Sequence, residues 1–225
     1  MDKSQTIVPF PTIRRLPGYL RLLRQCQAAG RTVISATHIA EELALESIQV
    51  RKDLGCTGMI GKPRVGFEIE PTIAAIESTL GWNCATQAFL FGAGHLGTAL
   101  LGYDGFARSG LKIVAAFDSD PQLVGTTING KQVLPLNRLH DLVRRMHIYV
   151  AVLAVPAVAA QQVAEQVVAA GIFGIWNFAP TMLALPDDVI VQNEDLSAGL
   201  ALLTSRVSAG LKGRGIAAAA LPSPA

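Results

Sequence analysis

The sequence predicts an α/β protein in two parts: a small helical N-terminal unit with a β wing, then a doubly wound parallel sheet. Three observations predict it. Two short helical stretches, Ala36–Leu43 and Ser47–Leu54, stand either side of a tight break and precede a Gly/Pro-rich basic segment at 58–67. From Thr86 onward, short apolar runs alternate with helical patterns, as strands and crossover helices do in a parallel sheet. Between the first of those runs and its helix stands Gly92-Ala93-Gly94-His95-Leu96-Gly97.

The elements follow in order. Leu16, Leu20 and Leu23 recur at helical spacing, so a helix is expected over Thr12–Ala29. Thr12 is its candidate cap, Gly30 its stop, and Pro17 a source of irregularity in its first turns. Ser35 is a natural N-cap for Ala36–Leu43. In the next helix Val50 and Leu54 face inward, leaving Gln49, Arg51 and Lys52 mostly outward, and Asp53 is expected to point away from any phosphate. Residues 58–67 read as a hairpin carrying Lys62 and Arg64, closed by a helix over Glu70–Leu80. Strands are then expected at Ala88–Phe91, Ile113–Phe117, Val133–Leu136, Ile148–Val155, Ile175–Phe178 and Val189–Val191. Helices are expected from Thr98, over Asn137–Met146 and over Ala157–Ala170. The last helix, Leu196–Leu211, carries a stripe of Leu200, Leu203 and Val207 that a finished sheet has no use for.

Composition bounds the function. The 225 residues are half apolar and 16% charged, so the chain can fold by burial. Net charge is only +2, but residues 1–67 carry ten Lys/Arg against five Asp/Glu while the remainder carries nine against twelve. The front third is the basic part. Cys26, Cys56 and Cys84 lie about 30 residues apart with no C-x-x-C, which excludes a zinc-finger or iron–sulfur site. All three are expected as small buried apolar groups in a reducing compartment. The N-terminus lacks the apolar core of a signal peptide. Two uncharged stretches, Ser78–Tyr103 and Gln166–Pro186, are long enough to span a bilayer, but polar residues, Gly or Pro break both. A soluble, cytoplasmic protein without membrane contact is expected.

The glycine-rich turn follows a strand and opens a helix, the context that gives G-x-G-x-x-G its meaning. Gly92 permits the tight turn, Gly94 lets a pyrophosphate approach the backbone, and Gly97 lets helix and strand pack closely. Free N–H groups at the helix start favour phosphate. Asp118, 21 residues beyond Gly97 and ending the second strand, would accept hydrogen bonds from a ribose 2′-hydroxyl and repel a 2′-phosphate, favouring NAD(H) over NADP(H). This is a Rossmann unit.

Catalysis is not expected. Of the four histidines, His38 falls in the helix-turn-helix, His95 in the glycine-rich turn, and His140 and His147 flank a peripheral helix. None ends a strand beside a carboxylate, as a hydride-transfer site would need. Tyr103 and Lys112 form no Y-x-x-x-K pair, and about 30 residues remain after the sheet, too few for a substrate domain. A small NAD-dependent oxidoreductase and a CoA- or nucleotide-binding ligase-like subunit stay open as alternatives.

These parts together resemble the Rex family of redox-sensing transcriptional repressors over about Ile13–Leu203. The resemblance is carried by Arg15-Leu-Pro-Gly-Tyr-Leu-Arg21, Gln49-Val-Arg-Lys-Asp-Leu54, Phe91-Gly-Ala-Gly-His-Leu-Gly97, Ala115-Ala-Phe-Asp-Ser-Asp-Pro121, Asn177-Phe-Ala-Pro180 and Asp195-Leu-Ser197. It implies a homodimeric repressor of double-stranded operator DNA that senses NADH/NAD+ and leaves DNA when NADH binds. The implied DNA contacts are Gln49, Arg51 and Lys52, with Lys62 and Arg64 on the wing. The implied cofactor pocket is Gly92–Gly97 (through Ala93, Gly94, His95 and Leu96), Asp118, Val155, Pro156, Asn177, Phe178, Ala179 and Tyr103. Arg21, Tyr103 and Asp195 match residues that relay between domains and subunits. The chain is expected to divide into a winged-helix domain (1–82), a Rossmann domain (83–195), a dimerisation helix (196–213) that the resemblance implies is swapped onto the partner, and a disordered tail (214–225). Departures gather in the DNA-reading part. Ala44 stands where the family usually has Gly, Glu46-Ser47 where it has Ser-Pro, and the wing charge shifts by one position at Lys62-Pro63-Arg64.

Overall fold

The computed structural model describes residues 8–214. Among these the chain forms two compact units. One holds the described residues up to Thr86 together with Gly105–Lys112; the other holds Gln87–Asp104 and the described residues from Ile113 onward. The expected tail lies, but for Arg214, outside the described residues.

The first unit contains α1 (Phe10–Ala28), β1 (Val33–Ile34), α2 (Ala36–Glu42), α3 (Ser47–Cys56), β2 (Phe67–Glu68) and α4 (Ile69–Leu80). Its core is apolar positions at helical spacing: Leu16, Leu20 and Leu23 of α1, Ile39 of α2, Val50 and Leu54 of α3, and Ile69 and Ile76 of α4. The start of α1 differs from expectation. The helix begins at Phe10 with Pro9 as cap, and Pro17 lies inside an uninterrupted helix. Thr12 does not cap because its hydroxyl donates instead to Asp53, 2.9 Å away. Packing of Leu16, Tyr19 and Leu20 on the core holds the helix through the proline.

Ser35 caps α2, accepting from the His38 N–H at 3.0 Å. Between α2 and α3, Ala44 turns the chain at φ 51°, a left-handed conformation that costs an L-residue roughly 1–2 kcal/mol. The wing is shorter than a hairpin. Lys62 and Gly66 form a single bridge around Pro63-Arg64-Val65, with Arg64 at φ 62°. The chain then pairs β2 with β1, antiparallel. Gly66 (φ 101°) is required here, since a Cβ would lie 2.3 Å from the Ile34 carbonyl oxygen.

The sheet region runs β3 (Thr86–Phe91), α5 (His95–Leu101), α6 (Gly105–Arg108), β4 (Leu111–Asp118), β5 (Thr127–Ile128), β6 (Lys131–Pro135), α7 (Leu139–Met146), β7 (Val150–Leu153), α8 (Ala157–Ala169), β8 (Gly174–Asn177), β9 (Ile190–Asn193) and α9 (Leu196–Gly213). Among the described residues the strands form one sheet in the order β5-β6-β4-β3-β7-β8-β9. It is parallel except for β5, a hairpin partner of β6 across Asn129-Gly130. The chain moves outward from β3 through β4 and then restarts on the other side at β7, so the order reverses between β3 and β7. Phe89, Phe91 and Phe117 pack ring to ring beneath the sheet's crossover helices. Within the described residues, no helix is long and apolar enough to cross a membrane. Two of the three cysteines depart from expectation: Cys26 is buried as expected, but Cys56 is half-buried and Cys84 exposed.

The strain at Ala44 generates a prediction. Ala44 is exposed, so replacing it by glycine removes little packing. Ala44→Gly is expected to stabilise the first unit by about 1 kcal/mol. A urea midpoint that fails to rise would contradict a left-handed turn at this position.

Candidate functional site

The sheet's reversal point sets the first site. Ligands of open α/β sheets bind outside the carboxyl ends of strands at that point. Here a cleft of about 560 Å³ opens there, lined among others by Gly94, His95, Asp118, Val155, Pro156 and Phe178.

The glycine-rich turn is built by close approach. Gly92 (φ 91°) has space for no Cβ, which would lie 2.7 Å from the Ala154 carbonyl oxygen. At Gly97 a Cβ would lie 1.8 Å from the Gly92 carbonyl oxygen. Gly94 is different: nothing lies within 4 Å of where its Cβ would be, so its backbone faces open space. Gly94, His95 and Leu96 are exposed. Asp118 closes one side. Its carboxylate accepts from the Ala93 N–H at 2.6 Å and the Asp120 N–H at 2.9 Å. Each oxygen keeps a lone pair for a further donor.

The opposite side is set by Asn177, fully buried at the end of β8. Its Nδ2 donates to the Thr181 carbonyl at 2.9 Å and to Asn193 Oδ1 at 2.8 Å, while its Oδ1 accepts from the Ala179 N–H at 3.0 Å. Asn177 therefore shapes the turn that presents Phe178 and Pro180 to the cleft, and Ala179 is buried behind it. The structure thus brings the glycine-rich turn, Asp118, Val155, Pro156 and Phe178 around one cleft, with Asn177 and Ala179 as its support. Tyr103 follows α5 and is 58% exposed. Asp195 caps α9, accepting from the Ser197 N–H at 2.8 Å. Its carboxyl is held below the usual range by the Ser197 hydroxyl and N–H. Arg21 is exposed on α1 in the first unit.

The second site is the exposed face of α3 with the wing. Arg51, Lys52 and Arg64 are exposed, and among the described residues no carboxylate pairs with them. Lys62 instead pairs with Glu68, both well exposed, a contact of small worth that an anion can displace. A groove of about 600 Å³ runs between Arg51 and the wing, lined also by Lys62 and Arg64. Gln49 departs from its expected outward placement. It is half-buried, and its Nε2 donates to Asp53 Oδ1 at 2.9 Å.

Asp53 is the residue whose importance the sequence reading missed. It does point away from the exposed face, but into a built network. Arg15 donates twice, from Nε at 2.6 Å and Nη2 at 2.8 Å. The Tyr19 hydroxyl donates at 2.6 Å and the Thr12 hydroxyl at 2.9 Å. Asp53 is 1% exposed. Burial alone would push its carboxyl up, but the donors of Arg15, Tyr19, Thr12 and Gln49 outweigh that and hold it at about 2. Burial, and then the hydrogen bond to Asp53, raise the Tyr19 hydroxyl well above its ordinary value. A signal was present: Thr12, Arg15 and Tyr19 share one face of a helix, and Asp53 sits in the inward register of Val50 and Leu54.

Comparison with known proteins places both sites in context. A family model described as "CoA binding domain" matches residues 83–181, and one described as "Putative DNA-binding protein N-terminus" matches residues 7–55. A redox-sensing transcriptional repressor Rex of Treponema denticola is 49% identical over 200 residues, covering 89% of this chain and 95% of that relative. The Rex of Bacteroides fragilis is 41% identical over 209 residues, covering 92% and 94%. The crystal structure of RSP in complex with β-NAD+ and operator DNA matches with TM-score 0.84 at 33% identity, covering 95% of this chain and all of that one. RSP in complex with β-NADH matches with TM-score 0.83 at 32% identity, covering 93% and 99%.

Two predictions come from this geometry. Gly97→Ala is expected to lower the thermal midpoint by several degrees, whereas Gly94→Ala leaves it unchanged, because only the first introduces a clash. Equal midpoints for the two variants would refute the turn's packing. For Asp53, the folded carboxyl lies below its ordinary 3.8. Its network therefore contributes fully above about pH 4 and is lost as pH falls through 2, a loss of about 2–3 kcal/mol. Urea midpoints between pH 5 and 2 should show an acid limb that Asp53→Asn flattens.

Proposed function

This chain belongs to the Rex family of redox-sensing transcriptional repressors, and on that premise we propose that it binds operator DNA as a homodimer and is released by NADH. It acts as a transcription regulator rather than as an enzyme. The observation that carries the reading is a conjunction in one chain. An open glycine cradle beside Asp118 adjoins the sheet's reversal point, and a basic helix-and-wing face carries Arg51, Lys52 and Arg64, which no carboxylate pairs among the described residues.

In this reading Gly92–Gly97 receive the pyrophosphate and Asp118 the adenosine ribose of NAD(H). Val155, Pro156 and the Asn177–Ala179 turn line the nicotinamide side. Tyr103, with Arg21 and Asp195, relays occupancy between the domains and the subunits. Arg51 and Lys52 reach into the major groove with Gln49, while Lys62 and Arg64 meet phosphates beside it. The exposed stripe of α9, where Leu200 and Leu203 are 60% and 59% exposed and Val207 50%, supports its packing on the partner subunit. Residues 1–82 then form the DNA-binding domain, 83–195 the NAD(H)-binding domain and 196–213 the dimerisation helix. A protein with this role works in the cytoplasm, where its operator and the NADH pool are.

Release requires linkage. NADH must bind the DNA-incompetent state more tightly than the competent one, and DNA must then weaken NADH by the same factor.

The test is a gel shift on promoter DNA at fixed salt, titrated separately with NADH, NAD+ and coenzyme A. Salt is fixed because phosphate contacts make affinity salt-dependent. Release by NADH at concentrations where NAD+ and coenzyme A do nothing is the expected result. Release by coenzyme A alone would favour a CoA-binding subunit over an NADH sensor. Asp118→Ala is expected to weaken NADH tenfold or more and to narrow its preference over NADPH, losing hydrogen bonds to a charged group of about 1.5–3 kcal/mol. An unchanged calorimetric affinity would remove Asp118 from the pocket.

A further inference from the structure

Asp53 does more than anchor α3. A carboxylate surrounded by the guanidinium of Arg15 and the hydroxyls of Tyr19 and Thr12 is ionised and can only accept hydrogen bonds. The Gln49 amide that meets it must therefore present its NH2 group, as the 2.9 Å contact from Nε2 shows. An exposed glutamine ordinarily chooses freely between two amide orientations; here the choice is fixed.

The fixed orientation has a definite chemical remainder. One of the two Nε2 hydrogens is used on Asp53. The other hydrogen and the carbonyl oxygen are left, and among the described residues that oxygen accepts from no protein group. Gln49 is the third residue of α3, in the first turn, between exposed Ile48 and exposed Lys52. Residues at the start of a recognition helix are those that meet base edges. A donor and an acceptor side by side on one planar group complement the major-groove edge of adenine, whose N6 donates and N7 accepts. Guanine presents two acceptors, O6 and N7, and would set one of them against the glutamine oxygen. Cytosine offers one donor, and thymine one acceptor beside a methyl group.

We propose that Gln49 reads an adenine in each operator half-site, because Asp53 fixes its amide with one donor inward and a donor–acceptor pair outward. Asp53 is the positioning residue and touches no base. The proposal rests on the DNA-binding reading given above and adds the base identity and the means of its selection.

Selection of randomised duplexes by the NADH-free full-length protein tests it, with the bound fraction sequenced for wild type, Gln49→Ala and Asp53→Asn. The wild-type profile should contain an adenine in each half-site whose replacement weakens binding about 5- to 150-fold. Gln49→Ala should lose the preference at that position and keep the others. Asp53→Asn can donate as well as accept, so the Gln49 amide is free to turn and discrimination of adenine from guanine should collapse there. A second arm needs no folded Asp53 variant: 7-deazaadenine, which lacks N7, or purine, which lacks the 6-amino group, is placed at that position. Each should weaken wild type and leave Gln49→Ala unaffected. If the position lost in Gln49→Ala is a guanine, or if that variant keeps the full profile, the proposal is overturned. If wild type enriches no sequence at all, the DNA-binding reading itself falls, an outcome separate from an enriched profile with no Gln49-dependent adenine.

Discussion

The buried carboxylate of Asp53 is the constraint on which the first unit depends. An ion this deeply buried is tolerated only when its hydrogen-bonding capacity is filled, and here α1 supplies three residues for that purpose. The consequence is geometric. Apolar packing of Val50 and Leu54 sets the depth of α3, but greasy surfaces tolerate small rotations and slides. A directional network of charge-assisted bonds does not. Arg15 grips Asp53 through two nitrogens, Tyr19 and Thr12 approach from neighbouring turns, and α3 is held to one rotation about its axis. The exposed cations Arg51 and Lys52 inherit that orientation, being two and one residues before Asp53 in the same helix.

In the sheet unit the corresponding constraint is backbone approach. Gly92 and Gly97 are needed because the turn leaves β3 so sharply that side chains at either position would strike carbonyl oxygens. Asp118 then ties the turn to β4 by accepting from Ala93. The glycine-rich turn is thus held from three directions: by its own packing, by Ala154 just beyond β7, and by Asp118. Gly94 alone is unconstrained, which leaves its face of the turn accessible to a phosphate.

Much of this was legible in the sequence because it depended on short-range patterns. Leu16, Leu20 and Leu23 announced α1, the glycine spacing announced the turn after β3, and Ser35 announced the cap of α2. What escaped depended on partners distant in sequence. Thr12 looked like a cap until Asp53, 41 residues away, claimed its hydroxyl. Gln49 looked solvent-facing because helical periodicity assigns faces by polarity, and a buried carboxylate inverts that assignment. Cys84 was expected to be buried because cysteine usually is; its place in the exposed connection before β3 has no periodic signature. The β5 hairpin was a different failure. Asn129-Gly130 is a strong local turn signal, and both residues take the left-handed conformations such a turn requires. The two-residue strand beside it was simply too short to stand out.

Redox sensing places a demand that the two ends of the cleft cannot share equally. NADH and NAD+ carry the same adenosine and the same pyrophosphate. Asp118 and the glycine turn, in the proposed reading, bind both forms alike, and uniform binding shifts no equilibrium between DNA-competent and incompetent states. Moving the population from nearly all bound to nearly all released takes a differential of about 5.5 kcal/mol. That differential has to arise at the nicotinamide side, where the two forms differ by one positive charge. The residues that the proposed reading sets there are apolar: Val155, Pro156, Phe178 and Pro180, all on the cleft wall. An apolar lining favours the neutral ring over the charged one because desolvating an unpaired cation is costly. On the proposed reading the adenosine end would therefore supply affinity and selectivity against the 2′-phosphate, and the far end the sign of the response. A substitution at Asp118 should move both nucleotides together, whereas a charge introduced beside Phe178 should move them apart.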